Sequence, residues 1–253
     1  MITASDLSAW NFCPRQVYYQ RVLGIKPARK DVMVKGTIKH KIFEELIKSY
    51  KKSKKLDVGK TINEVLSRYT GDLDAFGIDA ASFTKDLDWS FGILADKISK
   101  NEFIIPEFCE EWLESEELGM KARVDVIFDD SGEWIVGDLK TNTSDFLGTK
   151  MQIGAGALLF EKHKKVEVKR IKIISHVNWI EKDIHLTDEL RRQILSTRDE
   201  IKNMIKRGEM PPKCDNQNKC QKCDFLESRC KPNGESDQEP GTRKKSLLER
   251  VFG

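Results

Sequence analysis

The first hundred residues carry apolar positions at the spacing of helices. Val34, Ile38, Ile42, Leu46 and Ile47 recur at three- and four-residue steps and predict a helix over residues 34–50. Phe83, Leu87, Phe91, Leu94 and Ile98 stripe another long one. Residues 4–20 also read as helical, with Ser5 as the N-cap. Pro14 restarts that helix, because proline removes a backbone donor and clashes with the preceding turn. Thr61-Ile-Asn-Glu64 has the form of a capping box opening a shorter helix.

Past residue 100 the period falls toward two. Residues 103–113, 121–128 and 134–140 predict strands, with Asp129-Asp-Ser-Gly132 as the turn between the last two. A helix follows over 149–162, then strands at 170–177 and 179–185. A polar helix capped by Thr187 runs to about residue 207, where Pro211-Pro212 ends it. Residues 232–246, rich in Pro, Gly, Ser and charge, predict a flexible tail. The organisation is an N-terminal segment (1–30), a helical region (31–100), a sheet-containing core (101–210), a cysteine segment (211–232) and a tail (233–253).

Composition narrows the function classes only a little. The chain has 253 residues, is 34% charged, and has a net charge of +3, so charge alone does not select nucleic acid. Two basic runs, Lys51–Lys55 and Lys162–Arg170, suit either a solvated face or phosphate contacts. No stretch approaches the ~20 apolar residues of a membrane span. The N-terminus lacks the basic start and apolar core of a signal peptide. The expectation is a cytoplasmic protein, in which six cysteines are metal ligands or core residues sooner than disulfides.

Candidate chemistry sits in two places. Cys220, Cys223 and Cys230 have the spacing of a metal or iron–sulfur site, and Cys13 is the candidate fourth ligand. Such a quartet joins the two ends of the chain; Cys214 is an alternative thiol, and Cys109 reads as core. In the strands, Asp125 lies inside an apolar run, while Asp138 and Lys140 sit two apart and share a face. The turn makes these strands hairpin neighbours and brings Asp125 toward Asp138. Paired carboxylates repel unless a cation lies between them, and Mg²⁺ or Mn²⁺ prefers such oxygens. Lys140 is placed to position a water or stabilise charge on a phosphate. The set suits metal-assisted phosphodiester hydrolysis. Gln152 opens the next helix, with its amide available to the site. His40 stands on the 34–50 helix, with Glu44 one turn on. Gly36, one turn before it, costs about 1 kcal/mol relative to alanine and predicts close approach of another segment. Glu107, Glu110 and Glu111, on the strand before Asp125, are candidates to complete the metal shell; the sequence does not choose. The bland alternative is a salt-bridged strand edge and an ordinary helical histidine.

Asp125, Asp138-Leu-Lys140 and Gln152 resemble the PD-(D/E)xK nuclease core in its RecB-like form, and Gly36 with His40 resembles the upstream histidine motif of that branch. Cys13-Pro14-Arg15 with the C-terminal cysteines is similar to the CRISPR-associated Cas-four nucleases and other iron–sulfur RecB-like exonucleases. The resemblance implies an α/β restriction-endonuclease-like core, a central mixed sheet flanked by helices, with an N-terminal helical region and a C-terminal iron–sulfur segment. It implies a [4Fe–4S] cluster on Cys13, Cys220, Cys223 and Cys230 and a catalytic Mg²⁺ or Mn²⁺ on His40, Asp125 and Asp138. Lys140 acts on the water and Gln152 orients the site. The substrate implied is DNA with a single-stranded end, and the partners implied are CRISPR integrase proteins; a general DNA-repair role is the alternative. Three positions depart from the pattern. Gly156 stands where a tyrosine is usual, Ala122 where a glycine is, and the Cys223–Cys230 gap is one residue longer.

Residues 244–253 place Leu247, Leu248, Val251 and Phe252 on one face of a short helix. They resemble a sliding-clamp binding motif with Lys245 in place of its leading glutamine. Two other readings of the whole chain remain: a catalytically inactive nuclease-fold subunit that only grips DNA, and a zinc-stabilised adaptor. The intact Asp125, Asp138 and Lys140 weigh against the first, and the joint order of the motifs against the second.

Overall fold

Strand β3 (Met120–Asp130) is the hub of a six-stranded sheet. The computed structural model describes residues 1–230, in two units, Met1–Lys213 and a second that begins at Cys214. In the first unit β2 (Phe108–Ser115) runs antiparallel along one edge of β3. On the other edge β1 (Ile2–Thr3) joins in parallel at Met120–Lys121, and β4 (Glu133–Lys140) joins antiparallel at 126–130. The sheet continues through β5 (Arg170–Ser175), parallel to β4, to β6 (Glu181–His185), antiparallel to β5. A parallel pair needs a crossover, and helix α7 (Leu147–Lys164) supplies it. The β3–β4 hairpin closes through Ser131 and Gly132, both at positive φ (55° and 93°), a two-residue turn matched to strand twist. The Gly132 N–H donates to Asp129 Oδ1 at 2.7 Å.

The helical region holds α1 (Ala4–Phe12), α2 (Pro14–Arg21), α3 (Asp31–Ser53), α4 (Val58–Ser67), α5 (Thr70–Ala75) and α6 (Ala80–Ser99). Four sequence expectations change with the observed boundaries. Thr3, not Ser5, caps α1, because Asp6 completes a reciprocal box with it: Asp6 N–H to Thr3 Oγ1 at 3.2 Å, Thr3 N–H to Asp6 Oδ2 at 2.7 Å. Asp57 caps α4, so Thr61 lies inside the helix and its hydroxyl donates to Asp57 O. Helix α8 (Asp188–Arg207) keeps its expected N-cap, Thr187, but ends at left-handed Gly208 (φ 68°), before the proline pair. Strand β2 begins at Phe108, later than the apolar run from residue 103 suggests, because Phe103 is drawn into the helical core.

One face of the sheet buries Val126, Phe128, Ile135 and Leu139 against α3, α4 and α6. Trp179 anchors this core. It is fully buried, stacks on Phe43 at 5.3 Å, and donates its indole N–H to Ser90 O at 2.7 Å. Its φ of 55° is a left-handed conformation that L residues adopt at a cost, held here by the packed ring. Trp179→Ala is expected to cost about 3–5 kcal/mol in urea unfolding, the range for emptying a buried large aromatic site. The other face lies under α7, where Gly156 allows close approach: a Cβ there would meet Val124 Cγ2 at 2.9 Å.

In the second unit α9 (Gln217–Gln221) is capped by Asn216 and contains Cys220. The Cys223 N–H donates to Cys220 O at 2.9 Å, and Cys230 ends α10 (Leu226–Arg229). The expected flexible tail and the clamp-like segment 244–253 lie outside the described residues. Among the described residues no helix is long and apolar enough to cross a membrane.

Candidate active site

Asp125 stands where the sheet's regularity fails. The β3–β4 ladder runs from Asp130↔Glu133 to Val126↔Gly137. The Asp125 side chain then takes the place of a backbone acceptor, its Oδ2 receiving the Leu139 N–H at 2.8 Å. On the opposite edge the β2–β3 pairing holds at Cys109↔Val126 and Glu111↔Val124 but skips the position between, where Glu110 is left-handed (φ 57°). The inside–outside alternation of β3 slips at the same point: Val124 lies against Gly156 of α7, while Val126 belongs to the helical core on the other face. A left-handed non-glycine residue costs about 1–2 kcal/mol. Here that irregularity turns two carboxylates toward α3.

Helix α3 supplies the third donor. His40 Nδ1 lies 3.0 Å from Glu110 Oε1 and 3.5 Å from Asp125 Oδ1. One ligand atom from each of His40, Glu110 and Asp125 falls within 4.8 Å of the others. One imidazole nitrogen with carboxylate oxygens is a donor set suited to a divalent cation. Asp138 and Lys140, on one face of β4, form an ion pair of 2.8 Å. Asp138 Oδ2 thus faces the Lys140 ammonium, which offsets part of the cost of burying its charge. Gln152 of α7 reaches both neighbours at 3.5 Å, its Nε2 to Asp138 Oδ1 and its Oε1 to Lys140 Nζ. Of the three candidate glutamates, the fold brings Glu110 to His40. Glu107 pairs with Lys51 at 3.1 Å, and Glu44, one turn from His40, pairs with Lys41 and Lys48.

The electrostatics express crowding of like charge. Burial, then the charge of Asp125, pushes Asp138 up to about 7 against the pull of Lys140. Burial also pushes Asp125 upward, but His40 and the Leu139 N–H outweigh it and hold that carboxyl below its usual range. Burial favours neutral His40, yet hydrogen bonds to Asp125 and Glu110 prevail and lift it to about 10. Without a metal, protonated His40 thus fills the cationic role. Both His40 and Asp138 titrate above their unfolded values, so each contributes stability below its unfolded pKa that is lost as pH rises through its folded pKa. Metal-free protein is expected to lose stability in steps between about pH 4 and 7 and between about 6.5 and 10. Mg²⁺, displacing those protons, should restore it more strongly at pH 9 than at pH 6. Urea unfolding at both pH values with and without Mg²⁺ checks this; equal stabilisation at the two would contradict it.

Two sequence expectations are settled by packing. A Cβ on Gly36 would meet nothing within 4 Å, so no segment approaches there; the glycine instead leaves space one turn before His40. Gly156, where a tyrosine is usual, faces Val124 so closely that a bulky side chain has no room.

A family model described as the PD-(D/E)XK nuclease superfamily matches residues 1–231. The chain belongs to that superfamily. A curated relative, the CRISPR-associated exonuclease Cas4 of Francisella tularensis subsp. novicida (strain U112), is 25% identical over 225 residues, 88% of this chain and 91% of the relative. A solved structure, the crystal structure of SSO0001, is 16% identical and covers 75% of this chain and 94% of that one, with a TM-score of 0.33.

In this superfamily member one residue beside the site escapes sequence reasoning. His176 follows β5, its N–H donating to Lys140 O at 2.8 Å and its carbonyl accepting from Ser90 Oγ at 2.7 Å. Its ring centroid is 6.4 Å from that of His40, and its buried Nδ1 has no hydrogen-bond partner among the described residues. Burial, reinforced by Lys39 and His40, lowers it to about 4, so it is neutral. The sequence pattern puts His176 inside a strand over 170–177 and gives no signal of this. Strand β5 ends at Ser175 and β6 begins at Glu181, and the Trp179-anchored turn between them brings His176 there.

Proposed function

We propose that this protein is a metal-dependent DNA exonuclease that hydrolyses phosphodiester bonds at single-stranded or splayed ends. The observation that carries this reading is the meeting of His40, Glu110 and Asp125 beside the Asp138–Lys140–Gln152 set. His40, Glu110 and Asp125 lie close enough to hold Mg²⁺ or Mn²⁺, and Asp138, here paired with Lys140, would join them. When bound, the ion supplies Lewis acidity toward a phosphate oxygen and makes water more acidic. Lys140, held by Asp138 and kept charged by it, presents an ammonium to the attacking water or the phosphate. Gln152 fixes both side chains from α7. The paired acids, neutralised by Lys140 and the ion, leave the site able to accept a phosphate's negative charge.

The superfamily membership supports nuclease chemistry, and the similarity to a Cas4 exonuclease supports an exonuclease in CRISPR spacer acquisition, working with integrase proteins. The cysteines support a [4Fe–4S] cluster on Cys13, Cys220, Cys223 and Cys230: all are thiol donors, Cys13 placed at the start of α2 and the others around α9 and α10. Digestion of end-labelled single-stranded and splayed DNA, with and without Mn²⁺ and beside Asp138→Ala, tests the reading. Cation-dependent shortening by the wild type alone is expected; equal products from wild type and variant would reject it.

A further inference from the structure

Beyond the metal site, the open face of the β2–β3 ribbon carries an aromatic ring between two cations. Trp112 on β2 is 57% exposed and stands directly across from Arg123 on β3. Their strand neighbours Leu113 and Ala122 are buried toward the other face, so alternation turns Trp112 and Arg123 outward. Lys121 Nζ lies 5.6 Å from the Trp112 ring centroid. A large aromatic exposed to this extent on a regular strand contributes little to the core and costs hydration. It is a ready stacking plane.

This surface is continuous with the site. Arg123 Nε pairs with Glu110 Oε2 at 2.6 Å, and Glu110 in turn meets His40. Lys121, Arg123 and Asp125 lie two residues apart along β3, about 6.6 Å per step at the rise of a strand. That step is of the order of the phosphate spacing in an extended single strand. Lys121 makes no ion pair among the described residues, although Glu114 stands across from it in the ladder. Arg123 has no other ion-pair partner there than Glu110. Lys121 is therefore available to an anion, and Arg123, paired with Glu110 through Nε, is still 59% exposed beside it. An aromatic flanked by exposed cations is how proteins hold single strands without reading sequence.

Resting on the nuclease reading, we propose that Trp112, Lys121 and Arg123 form the track by which a single-stranded DNA end reaches the site, a base stacking on Trp112 and phosphates meeting the two cations. The track runs along β3 to Asp125, so the strand arrives from the β1 end of the sheet.

The test is fluorescence anisotropy of labelled oligothymidylate with the full chain, cluster included and no divalent cation added. Trp112→Ala is expected to weaken binding about tenfold without changing its salt dependence, while Trp112→Phe stays within about threefold of wild type. Lys121→Ala should lower the slope of log affinity against log salt by about one. Trp112→Ala binding within about twofold of wild type, or Trp112→Phe as weak as Trp112→Ala, would overturn the proposal. Because binding is measured without the cation, its failure is separate from failure of the hydrolysis test. A wild type that cuts but does not need Trp112 sinks the track alone.

Discussion

Asp125→Asn is expected to lower the rate of DNA cleavage by about a hundred- to a thousandfold, as removal of one group stabilising transition-state charge does. The substitution keeps the side chain's shape, and its amide oxygen can still receive the Leu139 N–H. What it removes is one negative charge from a site whose geometry gathers cations. Without Asp125, His40 loses one of the two partners that raise its pKa, and Asp138 loses the charge that, after burial, pushes it up. The folded state gives up the repulsion with Asp138 but also the attraction to His40 that holds Asp125 below its usual range, so metal-free stability should fall modestly while activity collapses. Single-turnover digestion with Mn²⁺ and urea unfolding, measured on the same preparation, read the two effects apart. A variant within a few-fold of wild type in cleavage would mean that Asp125 shapes the sheet and does no chemistry.

On the proposed iron–sulfur reading, Cys13→Ser should remove the iron and loosen the chain. A cluster held by Cys13, Cys220, Cys223 and Cys230 would link residues far apart in sequence, and loop-closure reasoning gives about 5 kcal/mol for a link of that length. Metal binding of this kind is part of folding free energy, so its loss appears as unfolding. The expected result is a preparation with no visible iron–sulfur absorbance, little iron or sulfide, and a thermal midpoint well below that of wild type. Cys109→Ser is the control. Burial pushes the Cys109 thiol up to about 12 and it packs at the edge of the helical core, so it should keep its iron. Anaerobically purified wild type that is colourless and holds zinc without iron would contradict the cluster; Cys13→Ser with unchanged iron would contradict the ligand.

The site was legible in the sequence where one residue's chemistry sat oddly in its element. Asp125 inside an apolar strand and Asp138 two before Lys140 announce themselves, because alternation fixes the shared face and burial makes acids expensive. The long helices α3 and α6 were equally plain from their stripes. Glu110 was legible only as one of three, because its selection depends on a left-handed backbone that no pattern of apolar residues encodes. His176 was invisible for a similar reason: its place is set by the Trp179 turn and by packing between α3, α6 and β5. The caps failed differently. Ser5 and Thr61 are competent capping residues, but Thr3 and Asp57 lie one or more positions earlier and meet better partners in Asp6 and Lys60. Local chemistry names the candidates; tertiary packing picks among them.

The claim on which the rest depends is that the acids of β3 and β4 and the histidine of α3 hold one divalent cation. Crystals soaked in Mn²⁺ and measured at the manganese edge, below that of iron, test it directly. One anomalous peak bounded by His40, Asp125 and Asp138, with Glu110 beside it, is the predicted result. A well-soaked crystal with no peak there, and His40 still paired with Glu110 and Asp125, would contradict it.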